Sequence, residues 1–318
     1  MPPLVIITET LDPDCATWLG QHVELRWCRH ENRQELEELL HSAEGLVVRT
    51  YTRVDTALLQ KAPGLKVVGR AGVGLDRIDL EACRKHGVRV VYTPEANTQA
   101  VVEYVLGLML DAVRPRFTLQ EPVTAERFLE LRARAVGQQL DQLTLGILGF
   151  GRIGRRLGAI AHAIGMNVLA NDLLPEARVR KEVSYPFDFV DKPTLYRTSD
   201  IVSVHVDGRA ANRHLVDARA LGALKPGALF INAARGMVVD PAALAAWARR
   251  VADEGGRAVL DVHEPEPPPR DDPLYGLRNV RLLPHIAACT TTAQANMSWV
   301  VRDVWAVLEA RDPEFPAN

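Results

Sequence analysis

The segment LTLGILGFGRIGRRLG places three glycines between an apolar run and an amphipathic stretch. Gly149, Gly151 and Gly154 form the spacing GxGxxG. The apolar run before them and the helical periodicity after them predict a strand, a tight turn and a helix. The first glycine then permits the turn, the second lets the backbone approach a pyrophosphate, and the third allows close helix packing. The segment predicts a dinucleotide-binding turn, with the backbone amides near Arg152 and Ile153 facing the phosphates.

An acidic residue ends the next predicted strand, MNVLAND. This residue, Asp172, can accept hydrogen bonds from the hydroxyls of an adenosine ribose, and its charge repels a 2′-phosphate. The segment therefore predicts NAD(H) as the cofactor. Arg178 and Arg180 follow closely enough to leave NADP(H) open. The alternative, an ordinary turn followed by an exposed aspartate, is disfavoured because strand, turn, helix and acid occur in the expected order.

Two series of β-rich runs alternate with segments of helical spacing. The first series is LVIIT, VELRW, GLVV, LKVVGR and VRVVY, and the second is LTLGILG, MNVLAND, DIVSVHV, ALFINAA, RAVLDV and NVRLLP. Alternating strands and helices form parallel sheets, because parallel neighbours need a crossover connection. Continuous apolar runs indicate helices on both faces of the sheet. The chain is predicted to be an α/β protein with two doubly wound parallel-sheet domains.

Two helical patterns predict where the domains meet. The chain has 318 residues, more than one ordinary core accommodates. One pattern covers about 97–113, and another covers about 290–309 after the last predicted strand. We expect the second to return to the first domain, giving a discontinuous substrate domain of 1–97 plus 290–318 and a cofactor domain of 98–289. An interdomain cleft that holds ligands is expected. The intervening segment AERFLELRARA is interpreted as an arm, a dimer contact or a plain connector.

Composition excludes several classes of function. The formal net charge of -2 leaves no broad basic face for nucleic acid. The four cysteines lack the close spacing of a zinc site or a disulfide framework, so we expect reduced thiols and no metal. No segment has the pattern of a signal peptide or a membrane span, which predicts a cytoplasmic protein without a membrane partner. Because the sequence ends at Asn318, we expect no appended regulatory domain.

Three further motifs follow predicted strands of the second series, where a doubly wound sheet places its ligands. INAARG supplies Arg235, whose guanidinium can clamp a carboxylate. LDVHEPEP supplies two glutamates, and LLPH supplies His285. Histidine suits proton transfer to or from a hydroxyl group, and a neighbouring carboxylate would hold the ring. Each residue alone has an equally good structural interpretation, but together they predict hydride transfer at a 2-hydroxy acid.

These motifs and the run GRAGVGLDRIDL resemble the D-isomer-specific 2-hydroxyacid dehydrogenase family over nearly the whole chain, and its 3-phosphoglycerate dehydrogenase branch most. The resemblance implies a Rossmann cofactor domain and a flavodoxin-like substrate domain. It implies that Arg235 binds substrate and that His285 is the acid–base catalyst. It also implies that Glu266, rather than Glu264, supports His285. The implied reaction interconverts a D-2-hydroxy acid and its 2-oxo acid with NAD(H).

The resemblance implies additional contacts. The further cofactor contacts are His205, Val206, Ala233 and Asp261, the last facing the nicotinamide. The implied substrate contacts are the backbone amides of Val73 and Gly74 and the side chain of Arg49. The positive charge of Arg49 favours a substrate with a second anionic group. The family also implies a homodimer formed through the cofactor domain.

The chain departs from the family pattern at two places that leave the substrate open. Asp207 replaces a proline beside the expected nicotinamide, and His263 replaces a phenylalanine. Candidates include 3-phosphoglycerate, glyoxylate, hydroxypyruvate and bulkier 2-oxo acids. A competing interpretation is an NADH-sensing scaffold that resembles a corepressor and has little turnover. The sequence shows no long disordered tail or recognition segment, so the enzyme is favoured.

Overall fold

A computed structural model describes residues 2–318 and divides the chain into two compact units. One unit is Met1–Asn97 with Ala288–Asn318, and the other is Thr98–Ala287. Each is built on one parallel sheet with interleaved helices. This confirms the predicted α/β class with two parallel-sheet domains.

The first unit contains five short parallel strands. They are β1 (Leu4–Ile7), β2 (Glu24–Trp27), β3 (Gly45–Val48), β4 (Val67–Arg70) and β5 (Arg89–Tyr92). Their order is β2-β1-β3-β4-β5, which is the flavodoxin-like order. Strand β3 is buried along its whole length, whereas the edge strand β2 is largely exposed. Continuous burial is what helices on both faces produce.

Six helices cover this sheet. Numbered along the whole chain, they are α1 (Pro13–Gly20), α2 (Arg33–Leu40), α3 (Thr56–Leu59), α4 (Leu80–Lys85), α12 (Thr291–Ser298) and α13 (Val301–Leu308). Val301 and Val304 of helix α13, with its N-cap Val300, pack onto the valines of the sheet. A Cβ atom at Gly69 in β4 would collide with Val304, so this glycine permits the close approach. The C-terminal residues therefore complete the core of the first unit.

The single helix expected near 290–309 is instead two helices. Ser298, at the end of α12, donates its hydroxyl to the carbonyl of Gln294 and accepts the backbone N–H of Asp12 at 3.0 Å. Serine bonded back to its own helix tends to bend it. The following turn is narrower than an α-helical turn, because the N–H of Arg302 donates to the carbonyl of Trp299 and the N–H of Asp303 donates to the carbonyl of Val300.

The second unit contains seven parallel strands. They are β6 (Thr144–Leu148), β7 (Asn167–Asn171), β8 (Asp188–Phe189), β9 (Ile201–Val204), β10 (Leu229–Asn232), β11 (Arg257–Leu260) and β12 (Val280–Leu282). Their order is β12-β11-β10-β9-β6-β7-β8, so the chain reverses direction across the sheet between β6 and β9. Ligands of doubly wound sheets bind at such a switch point, outside the carboxyl ends of the strands. Strand β8 has only two residues and was not predicted.

Seven α-helices belong to the second unit. They are α5 (Thr98–Val113), α6 (Ala125–Arg134), α7 (Arg152–Ala163), α8 (Glu176–Arg180), α9 (Lys192–Thr198), α10 (Ala218–Gly222) and α11 (Pro241–Val251). Helices α9, α10 and α11 contribute to one core cluster around Phe230. Helix α6 differs, because it buries no residue. Among residues 2–318, none of the helices combines the length and the apolar character needed to span a bilayer.

Candidate functional site

The glycine turn lies at the switch point of the second sheet. Leu148, the last residue of β6, aligns with Asn171 of β7 and Val204 of β9. Gly149 follows with a φ of 92°, and a Cβ atom there would lie 2.7 Å from the carbonyl carbon of His205. A Cβ atom at Gly151 would instead meet open space. The turn is therefore closed on the protein side and open on the side where a ligand would approach.

The start of α7 is suited to an anion. Its N-cap is Gly151, and no side chain within residues 2–318 caps it, whereas Asp191, Asp217 and Asp240 cap α9, α10 and α11. The first N–H groups of a helix need partners and carry partial positive charge. The first turn, which includes the predicted contacts Arg152 and Ile153, thus fits the phosphates of a dinucleotide.

Asp172 is anchored beside this turn. Its Oδ2 accepts the backbone N–H of Phe150 at 2.6 Å, and its Oδ1 accepts that of Leu174 at 2.8 Å. Each carboxylate oxygen has a further lone pair, so the group can still accept bonds from two ribose hydroxyls. The turn, the start of α7 and Asp172 together fit the adenosine and pyrophosphate parts of a dinucleotide.

His205 follows β9 and packs against the glycine turn. Its backbone N–H donates to the carbonyl of Leu148 at 2.7 Å, and its Nε2 lies 2.9 Å from the hydroxyl of Ser203. Its Nδ1 is buried and meets no partner within residues 2–318. Burial lowers the pKa of the imidazole to about 4, so the ring is neutral near pH 7. The other predicted cofactor contacts, Val206 and Ala233, are partly buried residues just beyond β9 and β10.

The loop that carries Arg235 is shaped by an asparagine. Asn232 ends β10 with 1% exposure, donates its Nδ2 to the carbonyl of Arg235 at 2.9 Å, and accepts the N–H of Ala234 at 3.1 Å. The guanidinium of Arg235 donates to the carbonyl of Ala234. Our sequence reasoning missed Asn232. An asparagine at the end of a strand, three residues before a candidate arginine, was the available indication because asparagine side chains bond to nearby backbone.

The structure brings Glu266 to His285. Glu266 Oε2 lies 2.9 Å from His285 Nδ1, and Glu266 Oε1 accepts the backbone N–H of His263 at 3.0 Å. Glu264 pairs instead with Arg213 at 2.6 Å. Burial opposes ionisation of Glu266, but the hydrogen bonds from His285 and His263 outweigh it, and the pKa of Glu266 lies below its ordinary value. The carboxylate is therefore negative at neutral pH and can support a protonated His285.

Asp261 holds the backbone next to His285. Its carboxylate, 1% exposed, accepts the N–H groups of Ile286 at 3.0 Å and Ala287 at 2.8 Å, and the hydroxyl of Tyr104 at 3.3 Å. His285 has a φ of 56°, a conformation that non-glycine residues seldom adopt. These bonds give Asp261 a positioning role for the His285 loop that our sequence reasoning had not identified.

The predicted substrate contacts of the first unit lie after β3 and β4. The carboxylate of Glu9 accepts backbone N–H groups from residues 49–52, and the guanidinium of Arg49 donates to Thr10 and Gln294. Arg70 donates its Nε to the carbonyl of Gly74 at 2.8 Å and so supports the loop that contains Val73. Glu9 and Arg70 organise these two loops, and our sequence reasoning identified neither.

Comparison with known families gives one match over more than half of the chain. Residues 106–287 match the family described as D-isomer specific 2-hydroxyacid dehydrogenase, NAD binding domain. This range contains the glycine turn, Arg235, Glu266 and His285.

Several curated relatives are similar along most of the chain. A D-3-phosphoglycerate dehydrogenase of Archaeoglobus fulgidus is 36% identical over 94% of the chain and 56% of that protein. A hydroxypyruvate reductase of Thermotoga maritima is 33% identical over 91% of the chain and 93% of that protein. An (S)-sulfolactate dehydrogenase of Chromohalobacter salexigens is 39% identical over 83% of the chain and 85% of that protein. The chain thus spans little more than half the length of the phosphoglycerate dehydrogenase.

Proposed function

Because the chain belongs to the D-isomer-specific 2-hydroxyacid dehydrogenase family, we propose that it interconverts a small D-2-hydroxy acid and its 2-oxo acid with NAD(H). The observation that best supports this proposal is the 2.9 Å pair of Glu266 and His285. The pair belongs to the same unit as a glycine turn that fits a dinucleotide. A bound nicotinamide would supply the hydride carrier, and the residues of the chain would supply the proton transfer and the binding of substrate.

His285 is the proposed acid–base catalyst. Its Nδ1 faces Glu266, so its Nε2 is the ring nitrogen left for the substrate oxygen. In oxidation Nε2 accepts the hydroxyl proton, and in reduction it donates a proton to the carbonyl oxygen. The negative charge of Glu266 stabilises the protonated imidazole and fixes the orientation of the ring. The side chain of His285 is 44% exposed, which allows contact with a ligand.

Arg235 is the proposed carboxylate clamp, since a guanidinium can bind a carboxylate through two parallel hydrogen bonds. Val73 and Gly74 remain predicted contacts of the substrate carboxylate. Arg49 favours a substrate with a second anionic group. The names of the phosphoglycerate and sulfolactate relatives agree with this preference, whereas hydroxypyruvate has no such group. We therefore propose 3-phospho and 3-sulfo 2-oxo acids as the first substrates to test.

A substrate panel tests the proposal. Purified protein is mixed with NADH and, in turn, glyoxylate, hydroxypyruvate, 3-phosphohydroxypyruvate, 3-sulfopyruvate and a branched 2-oxo acid. We expect NADH to be oxidised with at least one of them, while His285→Ala binds NADH normally and loses turnover by about 10³-fold or more. NADH binding without oxidation across the panel would contradict the dehydrogenase and favour the sensing scaffold.

A further inference from the structure

The loop after β9 contains an ion pair that the proposed chemistry does not use. Asp207 Oδ1 accepts Nε of Arg209 at 2.7 Å, and its Oδ2 bonds Nη2 of the same guanidinium. Asn212, only 6% exposed, donates its Nδ2 to the carbonyl oxygen of Asp207 at 2.9 Å and to Oδ1 at 3.0 Å. The buried amide therefore fixes Asp207, and Asp207 fixes the plane of the Arg209 guanidinium, whose side chain stays 55% exposed.

This ion pair lies at the carboxyl edge of the cofactor sheet. The residues that follow β6, β7 and β9 are Gly149, Asp172 and His205, and their strands end in register. His205 packs directly against Gly149, and Arg209 is four residues further along the same loop. The loop therefore begins at the glycine turn, on the side of β6 opposite to β7.

The charge of Asp172 also acts on the guanidinium of Arg209. The hydrogen bond and charge of Asp207 raise the pKa of Arg209, and Asp172 contributes to the same shift. Asp172 is held by two backbone N–H groups and cannot swing away. Arg209 therefore lies on the loop that begins beside the glycine turn, within electrostatic range of the carboxylate that would bind the adenosine ribose.

Arg180, which is close to Asp172 in sequence, is less available to a ligand there. Arg180 donates its Nε to Glu176 at 2.7 Å, and its guanidinium lies 4.7 Å from the centre of the Phe187 ring. Its Nε and one face of its guanidinium are therefore engaged by Glu176 and Phe187. Arg209, which is far from Asp172 in the sequence, is the better candidate for a ligand contact near Asp172.

The hydrogen bonds of Arg209 limit which surface of its guanidinium can contact a ligand. A guanidinium can bind phosphate bidentately through its Nε–Nη2 edge or its Nη1–Nη2 edge, and Asp207 occupies the first of these. Its flat face is a further recognition surface, since guanidinium faces stack on aromatic rings. The adenine ring is the aromatic group attached to the ribose that Asp172 would bind.

We propose that Arg209 stacks on the adenine of the dinucleotide and that Asp207 and Asn212 hold it in the stacking plane. This inference rests on the proposed cofactor site and assigns a binding residue to its adenosine half. The ion pair also offsets the charge of Asp207, which would otherwise add to that of Asp172 near the cofactor phosphates.

Calorimetric titration with two reduced cofactors tests the inference. NADH contains adenine, whereas reduced nicotinamide mononucleotide lacks the adenosine half. For Arg209→Ala we expect the Kd of NADH to rise roughly fivefold, as loss of one cation–π contact would produce. The Kd of the mononucleotide is expected to stay unchanged. Arg219→Ala removes an exposed arginine of α10 and should alter neither value.

Two replacements separate stacking from charge. Arg209→Tyr keeps a flat ring without the charge and should recover most of the NADH affinity, whereas Arg209→Lys keeps the charge without the plane and should not. Recovery by lysine but not by tyrosine would overturn the stacking proposal. Unchanged NADH affinity in Arg209→Ala, or equal weakening of both cofactors, would overturn it as well. Failure of the unaltered protein to bind NADH would instead refute the proposed cofactor site itself.

Discussion

The chemistry at His285 depends on a carboxylate that remains ionised despite partial burial. Glu266 meets this condition because two donors, His285 and the backbone of His263, converge on its two oxygens. Glu264, two residues earlier, meets Arg213 instead. The two glutamates therefore have separate partners, so the same substitution at Glu264 is a matched control for one at Glu266.

Glu266→Gln should lower kcat about 10- to 100-fold, in the range seen when a supporting partner of a functional histidine is lost. Steady-state rates of the purified proteins measure the effect. Glu264→Gln serves as the control, and an equal loss there would contradict the assigned role of Glu266.

His205 should make the folded protein sensitive to acid. Its pKa in the folded state is about 4, below the ordinary value for an unfolded chain. Between these two values the unfolded chain binds more protons, so the free energy of unfolding falls as the pH falls from about 6.5 to 4. The loss from this residue amounts to at most about 3 kcal/mol. Urea unfolding of the unaltered protein and of His205→Gln across this range should show a shallower decline for the variant, and parallel curves would contradict the expectation.

At the scale of elements, the turn between β6 and α7 contains one glycine that the fold needs and one that leaves space for a ligand. Gly149 has a positive φ and no room for a Cβ atom, whereas Gly151 has an ordinary φ and open space beside it. The first glycine is therefore needed by the protein, and the second leaves room for what binds there.

Gly149→Ala should destabilise the fold by about 1–3 kcal/mol because it combines an unfavourable φ with overpacking. Gly151→Ala should leave the melting temperature nearly unchanged and weaken NADH binding at least tenfold, since a methyl group would occupy the approach of the phosphates. Thermal denaturation and NADH titration distinguish the two variants. Normal NADH binding by Gly151→Ala would contradict the assigned path of the cofactor.

The limits of a helix or strand could be predicted where the apolar periodicity of the sequence extends over enough residues. Helix α5 begins one residue after the predicted start at Asn97 and ends at the predicted residue, Val113. The break between α12 and α13 was not predicted, because it depends on a bond between Ser298 and Asp12. Strand β8 was missed because two residues carry no periodicity.

At the scale of the whole molecule, α6 leaves apolar side chains exposed to solvent. Leu129 is 61% exposed and Phe128 is 43% exposed. Neighbouring Phe117, Leu119 and Val136 are also exposed. Monomers seldom expose apolar side chains in such a group, so this arm is a candidate for the proposed dimer contact in the cofactor domain.

Light scattering coupled to size exclusion should give a mass about twice the 35.1 kDa of one chain. Leu129→Glu should shift the protein toward the monomer, because burying a charge in an apolar contact is costly. Tyr275→Glu alters another exposed hydrophobic residue of the same unit, 50% exposed, and should leave the dimer intact. A monomeric unaltered protein would refute the proposed assembly.

The sequence by itself determined the features that depend on near neighbours. Alternating apolar runs and helical periods identified both sheets, and the spacing of Gly149, Gly151 and Gly154 identified the turn. The backbone geometry of strands, helices and turns depends on a few neighbouring residues, so it can be predicted from the sequence. Tertiary structure alone decided that Asp261 holds the His285 loop and that His205 packs against Gly149. Those contacts join residues far apart in the chain, and strand order and loop path determine whether such residues meet.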